Sequence, residues 1–402
     1  MKFLNKMLIS SVALASSLTA INPSVLAETD SKVKSGHQTS QLALTKKVLP
    51  DKMDRFKYET NFTFKYPDAV RGIYLTGNSA GGQKFDKLLN YVEKTELNAM
   101  VIDIKDDWGN ITYTPEDPDS PYADIAKNYI SEPVEMLSKL EEKQVYPIAR
   151  VVVFKDSILS KQKPEWSFVD NGEIWKNGRG ESFVNPFMKE VWDYNIGVAI
   201  EAAKMGFQEI QFDYVRFPEG FEKREDSLKY SMGEYKGTST NHTQKRVQAV
   251  TDFVAYAREK LKPYDVKVSV DIFGYAATLP EAPGIGQNFS KISENVDVIS
   301  SMIYPSHWTS YFGITKPDLE PYKLVSAYAK LEKEKLGELK TPPTSRPWLQ
   351  DFTAAYLGKG NYLKYGKSEV QAQIDALNKN GVNEYLLWNA ANNYTQGVDY
   401  KP

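Results

Sequence analysis

The sequence predicts an α/β fold, a (β/α)8 barrel of the TIM class, and three observations carry that prediction. Eight apolar runs of strand length recur along the 402 residues, and amphipathic helical segments alternate with them. Links from a helix to the next strand are short, whereas three strand-to-helix links are long, at 105–122, 155–187 and 216–241. In such a barrel those loops all rise on one face, where catalytic residues gather. Acidic and aromatic residues stand at several of the strand ends. An open doubly wound sheet usually has fewer strands and needs a topological switch point that the pattern lacks.

The elements follow in order. Residues 70–75 form the first strand, and Phe85, Leu88, Leu89 and Val92 then repeat at helical spacing. The second strand is 99–104, followed by a helix closing over 133–140. The third, 145–154, precedes a helix at 191–204, and the fourth, 210–213, a long helix at 243–261. Strands five and six are 266–273 and 296–303, with helical sequence at 319–331. Strand seven is 348–352, its helix 370–377, and strand eight 384–388. Continuous apolar runs suit strands covered on both faces. The last helix is missing or replaced, and the segment before Tyr66 is one candidate to cover the gap.

The first residues read as an export leader. Lys2 and Lys6 precede an apolar run at 7–20, and Val25, Leu26 and Ala27 give a small-x-small cleavage pattern. That run is too short to cross a bilayer, and nothing later is long and apolar enough. The expected organisation is a leader at 1–27, a polar tether or extension at 28–65 and the barrel at 66–402. The expected location is outside the cell, with at most a loose association with the envelope.

With no cysteine, the chain has no disulfides, iron–sulfur clusters or thiol chemistry, and must rely on a large core. Losing Lys2 and Lys6 takes the formal charge from -2 to about -4. Nucleic acid and anionic membranes are therefore not expected partners. The 25 Tyr, 18 Phe and 7 Trp exceed core needs and suit a surface that stacks sugar rings. A monomer acting on a carbohydrate polymer or oligosaccharide is the expected form.

Glycosidic cleavage needs a carboxylic acid to protonate the leaving oxygen, and a second carboxylate to attack or to activate water. Asp213 ends strand four in EIQFDYVRFPEG, and Asp271 lies near the end of strand five in VSVDIFGY. Neighbouring strands let the two face each other, so this pair is the expected catalytic pair. Arg216 is expected to hold Asp213 ionised, leaving Asp271 as proton donor, although the roles are reversible. Asp103, Asp106 and Asp351 are expected near substrate, with Arg71 and Arg150 as structural ion pairs. Tyr74, Trp108, Tyr214, Tyr304, Trp308 and Trp388 are candidate stacking rings, and Asn389 and His307 candidate hydroxyl partners. Trp166 and Trp175, on the long third loop, are candidates for distant subsites.

Other chemistries fit poorly. His37, His242 and His307 include no i, i+4 pair, so no metal site and no cofactor is expected. Gly77, Gly81 and Gly82 lack phosphate-loop spacing, and no G-x-S-x-G elbow occurs.

Residues 71–393 resemble a bacterial family of glycoside hydrolase domains, a domain of unknown function related to the barrel glycosidases. The resemblance rests on FDYVRFPEG at 212–220, with VRGIYLTG at 70–77, NAMVIDIKDDWG at 98–109, VSVDIFGY at 268–275 and MIYPSHW at 302–308. It implies a barrel that hydrolyses carbohydrate, with Asp213 matching the strand-four carboxylate of wider relatives. Many of those have Glu where this chain has Asp271. Two other readings stand beside hydrolysis: a non-catalytic polysaccharide-binding envelope protein, and a carbohydrate lyase or transglycosylase.

Overall fold

The structure, a computed structural model, describes residues 57–402. The expected leader and the first part of the expected tether lie outside the described residues. Eight parallel strands close into a ring: β1 (Arg71–Leu75), β2 (Ala99–Lys105), β3 (Tyr146–Val152), β4 (Glu209–Asp213), β5 (Lys267–Phe273), β6 (Val298–Met302), β7 (Trp348–Gln350) and β8 (Tyr385–Trp388). Each pairs with the next, and β1 pairs with β8 through Arg71↔Tyr385, Gly72↔Leu386 and Ile73↔Leu387. Gly72 is required at this seam, because a Cβ there would come within 2.7 Å of Leu386.

Helices follow each of the first seven strands: α1 (Lys84–Glu93), α2 (Pro133–Glu142), α3 (Lys189–Met205), α4 (His242–Leu261), α5 (Phe289–Ser293), α6 (Pro321–Gly337) and α7 (Lys367–Lys379). Helix α4 shows how sequence sets them. Asn241 caps it by accepting from the Gln244 amide at 2.9 Å, and Arg258 and Lys260 oppose the dipole in the last turn. Val247, Val250, Phe253, Val254, Ala257 and Leu261 bury one face against the strands. Phe253 touches Phe154, Trp192 and Phe212, so its loss to alanine would cost about 3–5 kcal/mol. The long loops hold small elements that the sequence pattern did not reveal, notably a strand at Ile111–Tyr113 and a helix at Ser157–Gln162.

Two cores result. The larger lies between strands and helices; the smaller fills the barrel lumen with Tyr74, Val101, Tyr146, Ile148, Tyr304, Trp348 and Leu386. On β4 to β6 the lumen is polar, contrary to the expectation of uniformly apolar runs. Strand alternation turns Glu209, Gln211 and Asp213 inward together, and Gln211 bonds Ser300 on β6 at 3.1 Å. A register shift in β2 between Asp103 and Lys105 separates that strand's two polar residues. Asp103 stays with the lumen, while Lys105 turns outward to bond Asn195 of α3 and to pair with Asp156 at 2.7 Å.

The base of the barrel is shut by a buried polar cluster. Arg346 bonds Glu209 at 2.7 Å, Glu384 at 2.8 Å and the Tyr66 hydroxyl at 2.9 Å. Residues 57–65 cross this end: the Tyr58 amide bonds Pro263, Thr63 bonds Glu141, and Phe62 lies against Gly206. They do not replace the eighth helix. That place belongs to residues 389–402, which are tied to both flanking helices. Tyr91 of α1 bonds Thr395 and Tyr400, Tyr385 bonds Tyr400, and Gln371 and Asn378 of α7 bond Asp399 and Lys401. Tyr400 is fully buried there. Among the described residues no helix is long and apolar enough to cross a membrane.

Candidate active site

The C-terminal ends of the strands bring one charged cluster together around Arg150 of β3. Its Nε and Nη2 donate to Asp213 Oδ2 at 3.0 and 2.6 Å, its Nη1 to Asp103 Oδ1 at 2.7 Å, and its Nη2 also to Asp107 Oδ1 at 2.7 Å. A cation buried in the middle of a strand needs such partners. Tyr74 and Trp388 stack on each other at 4.1 Å, with the guanidinium 5.5 and 5.4 Å from their ring centres. Asp213 receives its remaining bond from the Tyr214 amide at 2.6 Å.

Asp271, on the next strand, takes one hydrogen bond, from Trp348 Nε1 at 2.8 Å. Burial pushes its carboxyl well above the ordinary carboxylate range, and the negative charge of Asp213 pushes it further. The Trp348 bond and Arg150 oppose that rise without cancelling it. Tyr304 is buried beside both carboxyls. Burial also raises Asp103 to about 7 against the pull of Arg150, while its second oxygen accepts from the Tyr74 hydroxyl at 2.5 Å. For Asp107, burial opposes charge, but Arg150 and Lys155 outweigh it and bring the carboxyl down to about 2.

Tyr214 adopts φ 52°, a left-handed conformation that a bulky residue holds at a cost of order 1–3 kcal/mol. The turn sets its ring 4.1 Å from Lys155 Nζ and 4.8 Å from the Arg216 guanidinium. Arg216 does not pair with Asp213, which corrects the sequence expectation. The left-handed turn sends it away, to Glu219 at 3.3 Å and the Phe217 carbonyl, and it lies over Phe273. Arg150, expected to be only structural, takes that position.

The structure brings Tyr74, Asp103, Asp213, Tyr214, Asp271, Tyr304 and Trp388 together, and leaves other candidates apart. Asp106 closes its own turn, accepting from the Trp108 and Asn110 amides and the Asn110 side chain. Asp351 fastens Thr395, and Asn389 shapes the same C-terminal loop through Asp351, Ala391 and Asn393. Trp308 packs on Tyr328 and over Gly274. His307 sits exposed at the rim against Tyr304 and Phe352, and Trp108 is also exposed.

Arg150, Lys155 and Trp348 were missed as candidates for the site. One signal was available: an arginine inside the apolar run VYPIARVVVF has no solvent to reach. Lys155 bonds Asp107 at 2.9 Å, Tyr214 Oη at 3.0 Å and Glu181 at 3.3 Å. Beside the mouth, Asp170, Glu173, Trp175, Lys176, Glu219 and Arg224 line a polar groove of about 420 Å³, which does not include the carboxyl pair. Among the described residues no group of His, Cys, Asp or Glu is gathered to hold a metal ion.

The family described as "Putative glycosyl hydrolase domain" matches residues 72–394. No curated protein matches the chain. Among solved structures, a hypothetical protein from Ruminiclostridium thermocellum ATCC 27405 is 32% identical, covering 50% of this chain and 96% of that one, with a TM-score of 0.43. The PgaB (BpsB) glycoside hydrolase domain from Bordetella bronchiseptica is 15% identical, covering 80% of this chain and 94% of that one, with a TM-score of 0.55. At that identity the likeness is one of fold.

Proposed function

We propose, because the chain belongs to the family described as "Putative glycosyl hydrolase domain", that it hydrolyses glycosidic bonds in an oligo- or polysaccharide with Asp271 and Asp213. One observation carries the reading: two carboxyls at the ends of adjacent strands stand in opposed environments. Asp271 is buried, held by a single neutral donor, and has a raised affinity for its proton. Asp213 faces the Arg150 guanidinium. Groups whose surroundings differ in this way divide acid and base work between them. Asp271 protonates the departing glycosidic oxygen, and Asp213 supplies the negative charge that attacks the anomeric carbon or activates water. Trp388, partly exposed and backed by the buried Tyr74, gives the sugar an aromatic face, and the Tyr214 hydroxyl, which accepts from Lys155, can donate to a sugar hydroxyl. The basic, apolar leader pattern at 1–27 supports action outside the cell.

The test is turnover against a panel of polysaccharides by the wild type, Asp213→Asn and Asp271→Asn. Each variant should stay folded and lose at least ~100-fold in kcat/KM. A folded Asp213→Asn protein with full activity removes Asp213 from the reaction. An unsaturated sugar end among the products identifies a lyase instead.

A further inference from the structure

We infer that the protein binds a linear pyranose polymer across the barrel mouth and cuts within the chain, with exposed rings on opposite loops as platforms. This rests on the glycosidase reading and specifies its substrate. Among the described residues, six aromatic side chains are conspicuously exposed: Tyr66, Trp108, Tyr275, Tyr311, Tyr322 and Tyr356. Trp108, Tyr275, Tyr311 and Tyr356 all lie on loops that follow strands, after β2, β5, β6 and β7, and so on the face that holds the carboxyls. In a closed ring of eight, β2 and β6 stand opposite each other. Trp108 and Tyr311 therefore flank the mouth from two sides, with Asp213 and Asp271 between them in the order of strands.

Three of these rings are exposed yet held, and Trp108 stands on a backbone that is itself fixed. Tyr356 is 68% exposed, and its hydroxyl bonds Ser306 Oγ at 3.1 Å. Tyr311 meets the edge of Phe312 at 4.8 Å, and its backbone exchanges two bonds with Ile314. Tyr275 stacks on Phe273 at 5.5 Å. The Trp108 amide is fixed by Asp106 at 2.9 Å, and its carbonyl accepts from Ser157. A ring already fixed loses little freedom when a ligand stacks on it, and an aromatic face suits the C–H face of a sugar. The platforms also lead inward. Ser306, which holds Tyr356, has its amide on Gln350 of β7, and Tyr304 two residues earlier lies buried beside Asp271 and Asp213. A single sugar ring at the carboxyls would leave Trp108 and Tyr356 unused.

The experiment compares kcat/KM on two-, four- and six-ring cello-, xylo-, manno-, chito- and malto-oligosaccharides for the wild type, Trp108→Ala, Tyr356→Ala and Tyr356→Phe. Circular dichroism checks that each variant is folded. On the series that is cleaved, wild-type kcat/KM should rise at least ~10-fold from two rings to six, and internal linkages should be cut. The six-ring to two-ring ratio should fall by about 10-fold in Tyr356→Ala and Trp108→Ala, but by less than about 3-fold in Tyr356→Phe, which keeps the ring. An unchanged ratio in both alanine variants overturns the inference. So does a wild type that turns over all lengths equally or releases single sugars from one end; the hydrolase reading then survives. If no oligosaccharide is cleaved by the wild type or bound by Asp213→Asn, both readings fall.

Discussion

Replacing Asp271 by asparagine should stabilise the protein near neutral pH, and the gain should depend on pH in a defined way. Asp271 is 2% exposed, and burial, reinforced by Asp213, raises its carboxyl well above the ordinary 3.8. The native state therefore keeps a proton that the unfolded chain loses above about pH 4. Stability contributed by such a group is complete below the unfolded pKa and falls as pH rises toward the folded one. The loss is about 1.4 kcal/mol per pH unit over that window. Asparagine has nearly the same shape and does not titrate, so the variant escapes this slope. Its new amide lacks a built-in acceptor, at a cost of about 1–3 kcal/mol. The variant should thus be the less stable protein at pH 4 and overtake the wild type on the way to pH 7. Urea unfolding at half-unit steps from pH 4 to 8, followed by tryptophan fluorescence, measures the difference. The pH at which the gap stops widening reports where native Asp271 ionises. A gap that is constant between pH 4 and 6, or that closes as pH rises, would refute the placement of Asp271 in a site that resists its charge.

Two further outcomes follow from the same cluster. Arg150→Met leaves Asp103 and Asp213 buried without their cation, and should cost about 3–5 kcal/mol at pH 7. Without the cation that holds it down, the Asp103 carboxyl should rise above about 7, so the deficit should widen as pH rises from 7 to 9, a trend that denaturant midpoints will resolve. Trp348→Phe removes the donor that lowers Asp271, so that carboxyl rises further. The alkaline limb of the kcat/KM profile should then move to higher pH on any substrate the wild type cleaves; a limb that moves down contradicts Asp271 as the acid.

The barrel was legible because the helix-facing side of each parallel strand is apolar, and helical spacing stands out between the strands. Asp213 stood out as the carboxylate that ends the fourth strand, and the structure places it in the charged cluster at that end. Its partner was not visible. Arg216 lies three residues away in sequence, but the left-handed turn at Tyr214 diverts it. Arg150 lies 63 residues away and arrives through the parallel register Val152↔Asp213. Asp106, Asp351 and Asn389 were placed near substrate by position alone. Strand-end polar groups often satisfy nearby amides, and these do so within the Asp106 turn and the C-terminal segment. The covering of the seam was misplaced because residues 389–402 carry no helical periodicity, and only tertiary bonds reveal what they do.

The cluster of Arg346, Glu209, Glu384 and Tyr66 has a kinetic meaning beyond stability. Arg346 and Glu209 are completely buried, so this end of the barrel is a floor, not an exit. Under the proposed hydrolysis, substrate, attacking water and both products would all enter and leave by the mouth. A product still held there would compete with the next substrate, so added product should raise the KM of any substrate that is cleaved.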